Sequence, residues 1–185
     1  FFFDCGIFFG FGGLWAGPYL MHVYGMTREQ AGSILSMLAW GMIIGSPLLG
    51  VLSDRVFKSR KKVFGLCALL LAGLMVLLNL YPAGLPGPVL RAWFFLFSVS
   101  SSAIVIMGFT ATKELFPVEI AGTSVGTVNL FPFFGGAVFM PLLGRILDSF
   151  SKTAAGEYSL AGYRIMLAFL LGAAGIALVS IFFMK

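Results

Sequence analysis

Apolar residues in this chain come in long runs, not in the alternation of a half-buried strand or the one-sided stripe of a surface helix. Six runs stand out, from Phe1 to Tyr24, Gln30 to Ser53, Val63 to Tyr81, Val89 to Ala111, Thr123 to Leu147 and Tyr163 to Met184. A hydrocarbon core about 30 Å thick takes roughly 20 helical residues to cross, and lipid requires each segment to satisfy its own backbone. The pattern therefore predicts six transmembrane helices. Turn-forming residues separate them: Gly25, the charged run Asp54 to Lys62, Pro82 with Pro86 and Pro88, Pro117, and the polar run Asp148 to Gly162.

Charge then sets the orientation. The second-to-third connection holds Arg55, Lys58, Arg60, Lys61 and Lys62, and Lys113 and Lys185 fall on the same side. Arg28, Arg91, Arg145, Lys152 and Arg164 fall on the other. By the positive-inside bias, loop 54–62 and both termini are expected in the cytoplasm of a multi-pass protein of the plasma (inner) membrane. Spans three and six are almost wholly aliphatic and read as peripheral. Spans one, two, four and five carry the polar and aromatic residues expected to wall a cavity.

Composition narrows the classes further. Of the 185 residues, 59% are hydrophobic and only 10% are charged, where a soluble domain carries roughly a quarter. The net charge of +5 is scattered between apolar runs, which leaves no basic track for nucleic acid. Cys5 and Cys67 both lie in apolar stretches and form no CxxC site, and one His with two scattered Cys makes no metal set. No cofactor is expected. The absent initiator Met and lack of a basic stretch before the first run point to a piece of a longer chain, not to a signal peptide.

An internal match lies at an offset of 94 residues. Pro47-Leu48-Leu49-Gly50-Val51-Leu52-Ser53-Asp54 aligns with Pro141-Leu142-Leu143-Gly144-Arg145-Ile146-Leu147-Asp148, identical at five of eight positions. Each copy closes the second helix of a three-helix set. Three crossings invert direction, so the expected fold class is an all-α integral membrane bundle of two inverted three-helix repeats, 1–91 and 92–185, forming one six-helix domain over 1–185.

The segment from Gly50 to Lys62 resembles the signature loop of the major facilitator superfamily, roughly G-x-x-x-D-R/K-x-G-R-R/K. Gly17-Pro18-Tyr19-Leu20 and the segment from Glu114 to Thr123, which looks like E-x-x-P-x-x-x-R-G-T, agree with it. Phe57 stands where that loop has Gly, the basic cluster comes later than usual, and Ala121 replaces an Arg. The resemblance implies a twelve-span secondary transporter in two six-helix halves. This chain would be one half, the C-terminal one judging from its ends, with a small-molecule substrate held against the other half.

Independently of the family, Gly50 lets a helix approach closely, and Asp54 accepts charge-assisted hydrogen bonds from a cation or a helix N-terminus. Gly50, Asp54, Arg55, Arg60 and Lys61 are thus the candidate cytoplasmic gating loop, and proximity to anionic lipid is the competing role for its basic residues. Ser98, Ser101 and Ser102 share a helical face and suit either ligand contact or helix packing. Asn129, close to the helix-interrupting Pro132, needs partners in lipid and reads as cavity lining. Trp15 and Tyr19 with His22 occupy one face of the outer end of span one, where an aromatic belt competes with a substrate wall. Trp40 is too deep for a belt. Asp4 is the single carboxylate well inside a span and the possible proton site.

The expected function is half of a secondary active transporter, a symporter or antiporter moving a small organic solute by alternating access, with a proton as possible coupling ion. It is not an enzyme. The alternative is a self-contained six-span channel or intramembrane protease. No Asn-Pro-Ala pair and no well-placed Ser/His pair supports either.

Overall fold

The computed structural model describes residues 1–103, 108, 110, 112–113, 116–153 and 156–183. Glu114 and Lys185 from the sequence reading lie outside them.

The first run is helical throughout in three parts: α1 (Phe2–Ile7), a π-helical stretch π1 (Phe8–Trp15) and α2 (Ala16–Tyr24). The looser π stretch coincides with Gly10, Gly12 and Gly13, the poorest helix formers available. Gly25 ends the helix at φ 63°, a left-handed conformation that glycine adopts without strain, and its N–H returns to the Leu20 carbonyl. Two residues on, Thr27 and Gln30 form a reciprocal capping box that starts α3 (Arg28–Val51). A second π-helical stretch, π2 (Leu52–Phe57), continues α3 into the basic loop, and Ser59 caps α4 (Arg60–Leu80). Then come α5 (Gly87–Ala103), α6 (Val118–Asp148) and α7 (Leu160–Phe182). Pro47, Pro132 and Pro141 all sit inside helices, as membrane helices tolerate when neighbours re-satisfy the freed carbonyls.

Among the described residues there is no β-strand. Four helices are long and apolar enough to cross a membrane: Arg28–Phe57, Arg60–Leu80, Val118–Asp148 and Leu160–Ile181. The fold is thus an all-helical membrane bundle. α3 packs on α5, α1 and π1 on α6, and α4 on α7 and α5.

The core runs through the middle of the bundle. Ile7, Phe11, Leu71, Met75, Trp93, Phe94, Phe97, Phe139, Leu143, Met166 and Leu170 are all buried in it. Aromatic rings meet edge-on or stacked, as with Phe11 against Trp93 at 6.0 Å and Trp93 against Phe97 at 5.0 Å. A second cluster of Cys5, Leu49, Val63, Phe64, Cys67 and Val99 fills the end nearest the basic loop.

α4, expected at the periphery, is more buried than α3. Its face Val63, Cys67, Leu71, Leu74, Met75 and Leu78 packs inward, and Leu66, Leu69, Gly73, Val76 and Leu80 turn out. Aliphatic composition alone does not separate a lipid-facing helix from a two-faced one, because the buried face is aliphatic too.

Candidate functional site

The serines of α5 face two neighbours. Ser98 donates to the Leu38 carbonyl at 2.5 Å and Ser102 to Val99 at 2.8 Å. Opposite them stand Gly41 and Gly45 of α3, where an added Cβ would lie 2.6 Å from Ser98 Cβ and 2.8 Å from Ser102 Oγ. This is close helix contact between small residues, the arrangement that G-x-x-x-G spacing permits in lipid. The Gly41–Gly45 spacing is legible in the sequence but was not weighed there. Ser101 of α5 and Asp4 of α1 are two further polar side chains inside the bundle. Both are buried, and neither Asp4 Oδ1 nor Ser101 Oγ has a hydrogen-bond partner.

At the other end, aromatic and polar side chains tie the first span to α6 and α7. Trp15 Nε1 donates to the Met140 carbonyl at 3.0 Å, and its ring fills the space beside Gly144. Tyr19 is fully buried, and its hydroxyl donates to the Pro82 carbonyl at 2.6 Å. His22 Nδ1 lies 3.0 Å from the Tyr163 hydroxyl. In the loop before α7, Tyr158 donates to Asp148 Oδ1 at 3.0 Å and lies under Lys152. Partial burial and then the Asp148 carboxylate raise the Tyr158 phenol above its ordinary value, since both oppose a phenolate.

Trp40 and Asn129 are placed differently. Trp40 is 53% exposed, on a face it shares with Ile43, Ile44, Leu48 and Val51. Asn129 is half-buried beside exposed Leu130, Phe131, Phe133 and Phe134, with Pro132 buried. These are the broadest uncovered apolar faces of α3 and α6. The seven residues read as cavity walls thus divide. Trp15, Tyr19, Ser98, Ser101 and Ser102 lie in contacts between helices, and Trp40 and Asn129 lie on open faces.

In the gating loop, Asp54 and Arg60 line a hollow of about 310 Å³ with Ser53, Lys58 and Ser59. Arg55 and Lys61 are exposed. A Cβ on Gly50 would meet nothing within 4 Å among the described residues. At Gly144, the matching position of the internal sequence repeat, a Cβ would lie 2.9 Å from the Trp15 ring. Two polar side chains that the sequence reading passed over also bridge helices. Asn79 Nδ2 donates to the Met75 and Leu167 carbonyls, and Trp93 Nε1 to the Leu74 carbonyl at 2.9 Å.

A bundle of this kind keeps its cations at helix ends and in loops and leaves hydroxyls, an amide and aromatic faces at depth. It belongs to the class of membrane-embedded, multi-pass helical bundles. Sequence comparison gives the family. The chain matches the Major Facilitator Superfamily over residues 1–185 and belongs to it. It is also 30% identical, over 141 residues, to the glycerol-3-phosphate transporter of Bacillus subtilis (strain 168). That match covers 74% of this chain and 31% of the relative, so the chain spans about a third of the relative it matches.

Proposed function

We propose that the chain is one six-helix half, the C-terminal one, of a secondary active transporter that moves a small organic solute by alternating access. The observation that carries this reading is the pairing of the helices. An inverted repeat relates span one to four, two to five and three to six, so a contact of one with five requires a contact of two with four. Packing of π1 and α1 on α6, of α3 on α5, and of α4 on α7 follows that rule. The copy ending at Asp54 runs from Pro47 inside α3 into π2, and the copy ending at Asp148 runs from Pro141 inside α6 to its last residue, which supports the repeat. α5 supplies the start of span four and leads into residues outside those described.

The uncovered faces around Trp40 and Asn129 suit the other half and the substrate path. The hollow around Asp54 and Arg60 suits a latch that forms in one conformation and breaks in the other, with loop 54–62 and both termini cytoplasmic. In the sequence, no Lys or Arg falls in the middle of an apolar run. These six spans therefore hold no cation for a phosphate at mid-depth. A phosphorylated substrate such as the one in the relative's name would take its counter-charge from the other half.

The test is uptake by the full-length transporter in proteoliposomes, with thermal-shift screening of metabolite classes to supply the substrate. Asp54→Asn is expected to reduce uptake several-fold and leave thermal stability close to wild type. Unchanged uptake by Asp54→Asn removes the latch, and full uptake by residues 1–185 alone removes the half-transporter reading.

A further inference from the structure

We infer that the hollow between the first turns of α3 and α5 is a docking site for a small zwitterionic solute, with Arg91 taking its carboxylate and Glu29 its ammonium group. The hollow lies at the end of the bundle away from the basic loop. Its role as an outer entry to the substrate path rests on the transporter reading and the orientation proposed above.

The hollow measures about 430 Å³, inside the range of about 300–1,000 Å³ that small-molecule sites occupy. Ile34, 3% exposed, and half-buried Met26 give it an apolar lining, and Glu29, Gln30, Ser33 and Arg91 supply polar groups. The surrounding helices hold these groups in place. The Thr27–Gln30 capping box fixes the first turn of α3, and further along Gly41 and Gly45 bring α3 against α5.

Glu29 and Arg91 come from different helices and line one space without pairing. Among the described residues, neither side chain has an ion-pair or hydrogen-bond partner. A lone anion would gain from Arg91 and be repelled by Glu29, and a lone cation the reverse. A neutral polyol would use Gln30 and Ser33 and draw nothing from either charge. A molecule that carries both an ammonium and a carboxylate meets both, and the planar guanidinium of Arg91 suits the carboxylate. The four polar side chains are exposed, so each charged contact changes affinity by about two- to fivefold. Such a site gives a transient stop and not tight capture. Ser33 and Trp40 are both exposed and seven residues apart on α3, about 10 Å along one helical face. A solute leaving the hollow therefore passes directly onto the uncovered face that suits the substrate path.

Saturation-transfer NMR of the full-length transporter in lipid nanodiscs tests this, with straight-chain ω-amino acids from glycine to aminohexanoate as probes. At least one is expected to bind, and its single-charge analogues, the matching carboxylate and the matching alkylammonium, to bind several-fold more weakly. Glu29→Gln and Arg91→Gln should each weaken binding of the zwitterion about two- to fivefold, and the exchange of Glu29→Arg with Arg91→Glu should restore it. Absence of binding by every probe, equal binding of the single-charge analogues, or binding that either neutral variant leaves unmoved overturns the inference. So does failure of a membrane-impermeant maleimide to label Ser33→Cys from either side, which would mean that the other half covers the hollow. Labelling from the basic-loop side alone overturns the orientation and the entry role together. Binding is read without uptake, so a wild type that binds the zwitterion and transports nothing counts against the transport reading alone.

Discussion

Gly41 is the position where one methyl group should do the most damage. Its missing Cβ would lie 2.5 Å from the Phe95 carbonyl oxygen and 2.6 Å from Ser98 Cβ. Ordinary contact begins about 0.9 Å further out, and the nearer obstacle is backbone, which cannot swing aside. Gly41→Ala must therefore push α3 away from α5. Overpacking of this kind costs about 1–3 kcal/mol, and breaking the Ser98 bond to the Leu38 carbonyl adds about 0.6–1.7 kcal/mol. The expected loss is about 2–5 kcal/mol. The assay is denaturant unfolding of the purified protein in mixed micelles, with Gly73→Ala as control. Gly73 lies in α4 with nothing within 4 Å of its Cβ position, so the control should gain the helix preference of alanine, up to about 1 kcal/mol. Equal stability of the two variants would refute the close α3–α5 contact.

Three further outcomes follow from the same geometry. Asn79→Leu removes the amide that joins α4 to the Leu167 carbonyl of α7, and a loss of about 0.6–2 kcal/mol in the same unfolding assay is expected. Gly144→Ala drives a Cβ to 2.9 Å from the Trp15 ring. Trp15→Leu should relieve that clash, so the double variant is more stable than the sum of the two singles, and strict additivity would argue against the contact. Tyr158 is held neutral beyond the ordinary tyrosine range, first by partial burial and then by Asp148. Its contribution to stability is full below the unfolded tyrosine value and is lost as pH rises through the raised one. Asp148→Asn should lower the Tyr158 titration midpoint, read as the tyrosinate absorbance missing from Tyr158→Phe. A midpoint that stays put would dissociate the two residues.

The crossing helices were legible because lipid leaves so few options. Runs of about 20 apolar residues with breakers between them have one common solution, and helix ends such as Thr27-Arg28-Glu29-Gln30 announce their caps. The signature loop gave the family, which the match over residues 1–185 supports. What stayed hidden was which face of each helix meets which neighbour. Ser98, Ser101 and Ser102 share one helical face by spacing, yet in the bundle the first and last meet the glycines of α3 and the middle one is buried with its hydroxyl unpartnered. Periodicity gives the face but not the neighbour. Gly41 and Gly45 were readable as a packing pair, had their four-residue spacing been set beside the serines. Asn79 went unnoticed because it ends an otherwise aliphatic run, and its partner is a carbonyl 88 residues away.

The two ends of the bundle are held together by different means, and the difference bears on which end can open. Away from the basic loop, the first span is cross-braced by Trp15 to Met140, by Tyr19 to Pro82, by His22 to Tyr163, and through the Tyr158–Asp148 pair beside it. Most of these bonds use backbone carbonyls or rigid rings, so breaking the set requires several simultaneous losses of about 1 kcal/mol each. At the basic-loop end α1 packs on α6, with Phe139 against Gly6, and Asp4 Oδ1 and Ser101 Oγ are buried without a hydrogen-bond partner. The adjoining π2 stretch leads into a loop with Lys58 at φ 45° around an open hollow. The space beside Gly144 is filled by Trp15, while a Cβ on Gly50 would meet nothing within 4 Å among the described residues. One end is braced by side-chain hydrogen bonds, and the other is held by apolar packing beside an open hollow.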